Sequence, residues 1–432
     1  MIESLLNKSK SVLFFIIMFL LWLPFLQNIF LLVREKPLAG AIINAEKPFY
    51  EFKSFLSGDF QKKMEEYQKS SFGFRNTMIR LNNQKMFSLY NIAKANGVIV
   101  GKEGYLYEEN YIKSYFGEDY VGDEVVKHNI NKLLKVKEFL NSKGKDLIFV
   151  IAPGKAYFYP EYIPDKYHKK ERKITNYEAY IKEFQENDIN HIDFSYWFVE
   201  NKNKSIYPLI PQLGIHWSKY GEYLVADSLI KYIEQLRKIN LPDLVLDSIV
   251  LSKTPMFEDS DIGQGMNLFF DIPTFEMAYP YTHIEKKENQ SGIKSLVIGD
   301  SFYWGLYYRA ISKDILDNGQ FWYYNEKSYS SVLDVPTKTE NLNLNQVIDE
   351  NELFILFFSE SNLVNFDYGF IDRINSVMLE HKIDINGRIQ YYINRINSSE
   401  EWLSLMKKKA KDQKKALKDV IIEDAKYMAK NE

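Results

Sequence analysis

Hydrophobic and polar positions divide the chain into distinct parts, and the most apolar part lies near the start. Residues 11–33 carry no charged side chain and are long enough to cross a bilayer, which takes about 20 residues. The core of a signal peptide is shorter, about 7–15 residues. The pattern therefore predicts an uncleaved transmembrane anchor over 11–33, after a cytoplasmic segment of residues 1–10. The alternative is a signal sequence that is cleaved between Ala39 and Ala45.

The apolar positions that follow are spaced as in helices. Phe49, Phe52 and Phe55 would share one helical face, so residues 34–92 are expected to form a helical stalk. At the other end of the chain, residues 399–432 are predicted to form a lysine-rich amphipathic helix. That helix would dock on the main domain, on a partner or on an anionic membrane surface.

Residues 93–398 show short apolar runs that alternate with segments of helical periodicity. The clearest runs are 146–152, 296–298 and 353–358, and such runs are typical of buried parallel strands. Strands alternating with helices predict a three-layer α/β domain with a mainly parallel sheet. Residues 241–292 are largely polar and are expected to be a long irregular insertion.

Composition narrows the possible chemistry. The chain has no cysteine, which excludes disulfides and thiolate chemistry, and its net charge of −3 gives no basis for nucleic-acid binding. It has neither a glycine-rich phosphate loop nor an HExxH pattern, so no cofactor and no metal are expected. Asp259 and Asp261 could bind a cation, although two carboxylates in a loop usually belong to a solvated turn.

A serine and a histidine are the leading candidates for chemistry. Ser301 follows a predicted strand and opens a helical segment, which places its hydroxyl at the sheet edge where α/β folds bind ligands. The alternative role for this serine is a helix N-cap. A serine nucleophile needs a base, and among the six histidines His216 stands just before a helix and beside Trp217.

The order of these motifs resembles the permuted branch of the SGNH hydrolase superfamily. In that branch a His-Trp pair precedes a Gly-Asp-Ser block, as residues 216–217 and 299–301 do here. Residues 101–107, 153–155 and 362–363 fit the same order. The branch includes the alginate O-acetyltransferases and related polysaccharide acetylation proteins, and the likeness extends over most of the predicted α/β domain.

The resemblance implies a role for each matching residue. Ser301 would be the nucleophile that forms an acyl-enzyme, and His216 would act as general base and then as general acid. Asn362 would be an oxyanion donor beside the backbone N–H of Ser301, and Lys155 would line the pocket.

The resemblance also implies a function and a location. It indicates an O-acetyltransferase of a cell-surface or secreted polysaccharide, anchored in the cell membrane by one helix with its catalytic domain outside the cytoplasm. The acceptor would be a polysaccharide, and a membrane-bound O-acyltransferase would supply the acyl group. A carbohydrate acetylesterase would share the same acyl-enzyme, and a non-catalytic glycan-binding or scaffold subunit is the third hypothesis.

One position departs from the pattern of the alginate enzymes. There the acid that orients the histidine stands two residues before it, whereas this chain has Gly214. The glycine favours the non-catalytic hypothesis, or a slow site, unless another carboxylate reaches the ring of His216 or a backbone carbonyl orients it. Asp193, Asp261 and Glu360 are the candidates for that acid partner.

Overall fold

The structure is a computed structural model that describes residues 2–40, 44–332 and 335–431. Helix α1 (Ile2–Phe30) opens the chain, so the helix predicted over 11–33 begins earlier and ends earlier. Leu31 has a φ of 47°, which is outside the helical range, and the side-chain amide of Gln27 bonds both backbone groups of Val33. Within α1, the segment Ser9–Phe30 is long and apolar enough to span a membrane, as an anchor or as a signal sequence.

The stalk is helical, although its helices bury little. It consists of α2 (Phe52–Ser57), α3 (Asp59–Ser71) and α4 (Arg75–Tyr90). The aromatic residues that predicted a packed face are exposed, Phe49 at 92% and Phe52 at 68%. Phe52 therefore lies on an uncovered face of α2, whereas Phe49 precedes that helix and belongs to no helix face.

The remaining elements form an α/β domain followed by helices. The strands are β1 (Val98–Val100), β2 (Leu106–Glu108), β3 (Asp146–Ala152), β4 (His191–Asp193), β5 (Asp243–Ser252), β6 (Met277–Glu285), β7 (Ser295–Gly299), β8 (Gln320–Tyr323), β9 (Lys327–Tyr329), β10 (Thr337–Lys338) and β11 (Leu353–Ser359). The helices are α5 (Glu109–Tyr115), α6 (Asp123–Ser142), α7 (Lys155–Phe158), α8 (Asp165–His168), α9 (Asn176–Glu186), α10 (Phe194–Asn201), α11 (Lys219–Arg237), α12 (Asp261–Gly265), α13 (Tyr303–Tyr308), α14 (Leu344–Glu350), α15 (Phe370–Ser398), α16 (Glu400–Gln413) and α17 (Leu417–Asn431).

A seven-stranded sheet with the order β10-β9-β8-β7-β11-β3-β4 forms the middle layer. The five strands from β8 to β4 are parallel, and β9 and β10 are antiparallel at one edge. Side chains alternate between the two faces, as the pleat requires. Ile148 and Val150 enter one core with α11, while Leu147 and Phe149 enter the other with α6 and α9. This confirms the mainly parallel α/β architecture that the sequence predicts.

The predicted irregular insertion is instead mostly ordered. Strands β5 and β6 pair antiparallel from Asp243↔Glu285 to Ser252↔Met277 and form a two-stranded ribbon. The segment between them, residues 253–276, returns to the sheet edge and carries α12. The prediction of irregular structure was wrong because most of β5 is exposed or half-buried, so its sequence lacks a continuous apolar run.

The C-terminal region is helical but is not the single helix that the sequence predicts. Helix α15 packs its first turns on the sheet-side core through Phe370 and Ile374. Its second half packs with α16 and α17 around a separate core, whose buried members include Ile396, Met406 and Ile421. The apolar stripe of residues 399–432 is therefore covered by helices of this chain.

Candidate active site

Ser301 lies at the carboxyl end of β7, at the edge where three parallel strands end side by side. Gly299 pairs with Phe357 of β11, and Ser359 of β11 pairs with Ala152 of β3. Asp300, which is fully buried, holds this edge together. Its Oδ1 accepts from the backbone N–H of Phe302 at 3.0 Å, and its Oδ2 accepts from that of Ser359 at 2.6 Å. This buried aspartate therefore fixes the turn that presents the hydroxyl of Ser301.

His216 meets Ser301 from the loop before α11. Its Nε2 lies 2.8 Å from Oγ of Ser301, and its ring packs edge-on against Phe302 with ring centroids 4.8 Å apart. Trp217 points into the core, where it contacts Phe302 and Phe357. The tryptophan therefore anchors the histidine loop, while the phenylalanine after the serine supports the imidazole.

The carboxylate partner of His216 comes from α12. Asp261 Oδ2 lies 2.7 Å from Nδ1 of His216, and Oδ1 accepts from the backbone N–H groups of Ile215 at 3.0 Å and Ile262 at 2.7 Å. Both carboxylate oxygens are thus held before any ligand binds. Ser301, His216 and Asp261 form a continuous line of hydrogen bonds from a hydroxyl to an imidazole and a carboxylate, an arrangement that can activate a serine for nucleophilic attack.

Gly214 provides the space that this arrangement needs. A Cβ atom at this position would lie 2.7 Å from the carbonyl oxygen of Glu258 and 3.0 Å from the carbonyl carbon of Asp259. Both neighbours are backbone atoms of the segment that leads into Asp261, so they have little freedom to move aside. The glycine that replaces the expected acid therefore lets the segment with the acid pack against the histidine loop.

Lys155 stabilises the loop that carries His216 through hydrogen bonds to two backbone carbonyl groups. Its side chain is fully buried, and its Nζ donates to the carbonyl oxygens of Gln212 at 2.8 Å and Gly214 at 2.7 Å. Burial lowers the pKa of Lys155 to about 7, against the opposing charge of Asp261. The lysine lies beneath the loop and does not line the cavities described below, which differs from the pocket role that the sequence predicts.

Asn362 lies at the same sheet edge, but its amide N–H groups are engaged. Nδ2 donates to Asp300 Oδ2 at 2.7 Å and to Ser359 Oγ at 3.1 Å, while Oδ1 accepts from the hydroxyl of Tyr368. A role as oxyanion donor would require one of the two donated bonds to break. In this structure the side chain instead braces Asp300.

The other two carboxylates named as acid partners are committed elsewhere. Asp193 caps α10 through the backbone N–H of Tyr196 and accepts from the hydroxyl of Tyr177. Glu360 is buried against Ser195, whose Oγ donates to it at 2.8 Å, and burial raises the pKa of Glu360 to about 8. These two expectations are therefore wrong, because Asp261 fills the position beside the imidazole.

The carboxylates near His216 determine how readily it binds a proton. Burial alone would lower the pKa of His216, but the hydrogen bond and charge of Asp261, followed by the charges of Asp300 and Glu258, raise the pKa above 6.5. His216 therefore carries the neutral ring that can accept a proton from Ser301 mainly at a pH above this raised pKa.

No group of three or more metal-ligating side chains that could hold an ion occurs among the described residues.

Two cavities meet at Ser301 and His216. The first, called the aromatic cavity, has a volume of about 230 Å³ and is lined by Trp217, Phe302, Trp304, Tyr308, Glu222 and Glu258 besides this pair. The second, called the stalk-side cavity, has a volume of about 390 Å³ and is lined on its far side by Asn96, Val98, Glu108, Tyr111 and Tyr324. The hydroxyl of Ser301 is thus reachable from two directions.

The fold is an α/β domain with a mainly parallel sheet, and the side chains of Ser301, His216 and Asp261 meet at one edge of that sheet. Residues 98–243 match the family model of the SGNH hydrolase-like domain of the acetyltransferase AlgX, which confirms the resemblance expected from the motifs. The match covers about a third of the chain; it includes His216 and ends before Asp261 and Ser301.

Solved structures show a similar but distant arrangement. The O-acetyltransferase domain of Pseudomonas putida AlgJ has 14% identity and a TM-score of 0.44, with 65% of this chain and 99% of that chain covered. Bacillus cereus PatB1 with a sulfonyl adduct has 12% identity and a TM-score of 0.44, with 65% and 99% covered. Pseudomonas aeruginosa AlgX has 12% identity and a TM-score of 0.41, with 64% and 67% covered. No curated protein matches the sequence.

Proposed function

We infer that the protein is an O-acetyltransferase that modifies a polysaccharide through an acyl-enzyme on Ser301. The observation that carries this proposal is the line of contacts from Asp261 to His216 at 2.7 Å and from His216 to Ser301 at 2.8 Å. The match of residues 98–243 to an acetyltransferase family supports acetyl as the transferred group.

The proposed reaction has two steps that use the same residues. Ser301 Oγ attacks the acyl carbonyl while its proton passes to Nε2 of His216, and the imidazolium then protonates the leaving group of the donor. In the second step a sugar hydroxyl gives its proton to Nε2 and attacks the acyl carbon. The bond to Oγ breaks, and Ser301 recovers its proton from His216. Asp261 stabilises the imidazolium in both steps.

The backbone N–H of Ser301 is the proposed first donor to the oxyanion, because it lies on the turn that starts α13. The proposed setting is outside the cytoplasm, with α1 in the membrane and a membrane-bound O-acyltransferase as the source of the acyl group. The apolar segment Ser9–Phe30 supports the membrane part of this proposal.

The acyl-enzyme can be tested directly with p-nitrophenyl acetate. We expect a burst of p-nitrophenolate and an acetyl group on Ser301 that is located by peptide mass spectrometry. Both signals should be lost in Ser301→Ala, and the exposed Ser291 offers a control in Ser291→Ala, which should behave as wild type. An equal burst in Ser301→Ala would contradict the proposal.

A further inference from the structure

The aromatic cavity has the chemistry of a sugar-binding site. The rings of Trp304 and Tyr308 are stacked, with centroids 5.5 Å apart and planes inclined by 21°. Tyr308 is 71% exposed, so its ring presents an uncovered aromatic surface next to Ser301, and the half-buried Trp304 supports that ring. Sugar rings have apolar C–H faces that pack on aromatic rings, and their hydroxyls need polar acceptors at the edge. Glu258, which is half-exposed, supplies such an acceptor.

The two cationic side chains near this cavity, Lys219 and Arg309, already form salt bridges. Lys219 is 13% exposed and binds Glu222 at 2.8 Å and Glu258 at 2.6 Å, and Arg309 pairs with Glu222 from the other side. Gly305 allows this packing, because a Cβ atom there would lie 1.9 Å from Oε2 of Glu222. The positive charges therefore neutralise Glu222 and Glu258 and are not presented to a ligand.

Among the residues that the structure describes, no lysine or arginine lines either cavity. Within residues 2–40, 44–332 and 335–431, the charged groups lining the two cavities are carboxylates, namely Glu222 and Glu258 in one and Glu108 and Asp261 in the other. A glycan of uronic acids carries a carboxylate on every sugar. Such a chain would bury its own carboxylate with no free cation beside it, because Lys219 and Arg309 are already paired with Glu222 and Glu258. A cationic sugar would likewise find both carboxylates of the aromatic cavity already paired.

We propose that the aromatic cavity binds an uncharged pyranose of a neutral glycan, stacked on Trp304 and Tyr308, as the acceptor of the acyl group. The proposal deepens the proposed function and rests on it. The sugar hydroxyl that is acylated would lie over Ser301 within reach of Nε2 of His216, and Glu258 would accept a hydrogen bond from a neighbouring hydroxyl.

The test measures how acceptors compete with water for the acyl-enzyme. The full-length protein in detergent is acylated with p-nitrophenyl acetate, and loss of the acetyl group is followed against the concentration of each acceptor. The acceptors are neutral oligosaccharides (N-acetylated chito-, cello- and galacto-oligosaccharides), oligomannuronate and deacetylated, cationic chito-oligosaccharide. We expect at least one neutral acceptor to be acetylated about tenfold more efficiently than either charged one.

Two variants connect that preference to the cavity. In Tyr308→Ala, the concentration of neutral acceptor that gives half-maximal transfer should rise about five- to tenfold, because the sugar loses apolar contact area. Tyr196 is 58% exposed on α10 and does not line the aromatic cavity, so Tyr196→Ala should leave that concentration unchanged. Rates are normalised to the acyl-enzyme formed by each variant.

The results separate the two proposals. Equal or better transfer to oligomannuronate or to the cationic acceptor would overturn the neutral-glycan proposal. So would an acyl-enzyme that hydrolyses at a rate independent of every acceptor, or equal effects of the two tyrosine variants. Absence of any acyl-enzyme would instead contradict the proposed function.

Discussion

At the scale of single residues, the site has a glycine, Gly214, where an acid is expected, and an aspartate from a later segment lies beside the histidine. The carboxylate beside His216 is Asp261, which is 45 residues further along the chain, and Gly214 makes room for the segment that carries it. The glycine therefore does not leave the ring of His216 without a carboxylate partner, because Asp261 lies beside it. Two residue-scale predictions follow from this geometry.

The first concerns the proton affinity of the base. Asp261→Asn removes the largest contribution that raises the pKa of His216, and it leaves the burial that lowers this pKa and the smaller raising effects of Asp300 and Glu258. The acidic limb of kcat/KM against pH should therefore lie above 6.5 in wild type and move to lower pH in the variant. The rate on p-nitrophenyl acetate should also fall, by up to about 10⁴-fold, as the same amidation does in a serine protease. Unchanged limb and rate would exclude Asp261 as the acid.

The second concerns the close approach at Gly214. Gly214→Ala should push the carbonyl groups of residues 258 and 259 away, cost about 1–3 kcal/mol of stability and lower activity as Asp261 shifts. Gly265 lies at the end of α12, and a Cβ atom there would meet nothing within 4 Å. Gly265→Ala is thus the matched control, and thermal unfolding together with esterase kinetics compares the two. Equal effects of both substitutions would argue against the packing role of Gly214.

At the scale of elements, α12 is held by the stalk as well as by the histidine loop. Asn83 on α4 is buried and donates from Nδ2 to the carbonyl oxygen of Met266 at 2.9 Å, directly after α12. Arg80 donates to the carbonyl oxygen of Leu268 at 3.0 Å, and Asn267 exchanges two hydrogen bonds with the backbone of Ala39. The segment with the acid is therefore braced by the part of the chain that follows the apolar helix.

This brace predicts an effect at a distance. Asn83→Ala would leave buried carbonyl oxygens without donors, at a cost of about 1–3 kcal/mol. Hydrogen exchange should become faster in residues 256–268, and the rate on p-nitrophenyl acetate should fall several-fold. The neighbouring Asn82 is exposed, so Asn82→Ala is the control and should change neither measurement. If Asn83→Ala made hydrogen exchange faster only in α4, the contact of Asn83 would not stabilise the segment that carries Asp261.

At the scale of the whole molecule, the chain joins an apolar helix, a helical stalk, an α/β domain and a C-terminal helical cluster with its own core. The proposed topology places the α/β domain outside the cytoplasm. Because the chain has no cysteine, single engineered cysteines can report on this without background.

We expect Ile206→Cys, at a position that is 81% exposed, to react with a membrane-impermeant maleimide in intact cells with a permeable outer layer. Asn7→Cys, in the predicted cytoplasmic segment, should react only after the membrane is opened. The reverse pattern would contradict the proposed orientation, and a mature protein that begins after Ala39 would show a cleaved signal sequence instead of an anchor.

The sequence predicts those parts of the molecule whose physical signal is local. Buried parallel strands such as β3 and β11 are continuous apolar runs, and the turn at Ser301 follows directly from one of them. The β5–β6 ribbon gives no such run, because much of its surface faces solvent. The choice of Asp261 over Asp193 and Glu360 depends on which carboxylate the folded chain brings to His216, and no local pattern encodes that.

Asp261 lies on α12, in the segment that joins the two strands of the β5–β6 ribbon, and this position has a consequence for searches of other sequences. A search that requires an acid two positions before the histidine would discard this chain as inactive. Sequences with a glycine at that position should instead be inspected for an aspartate at the tip of a later insertion, before the Gly-Asp-Ser block. In such sequences, loss of the insertion alone would remove the acid while the nucleophile and the base stay intact.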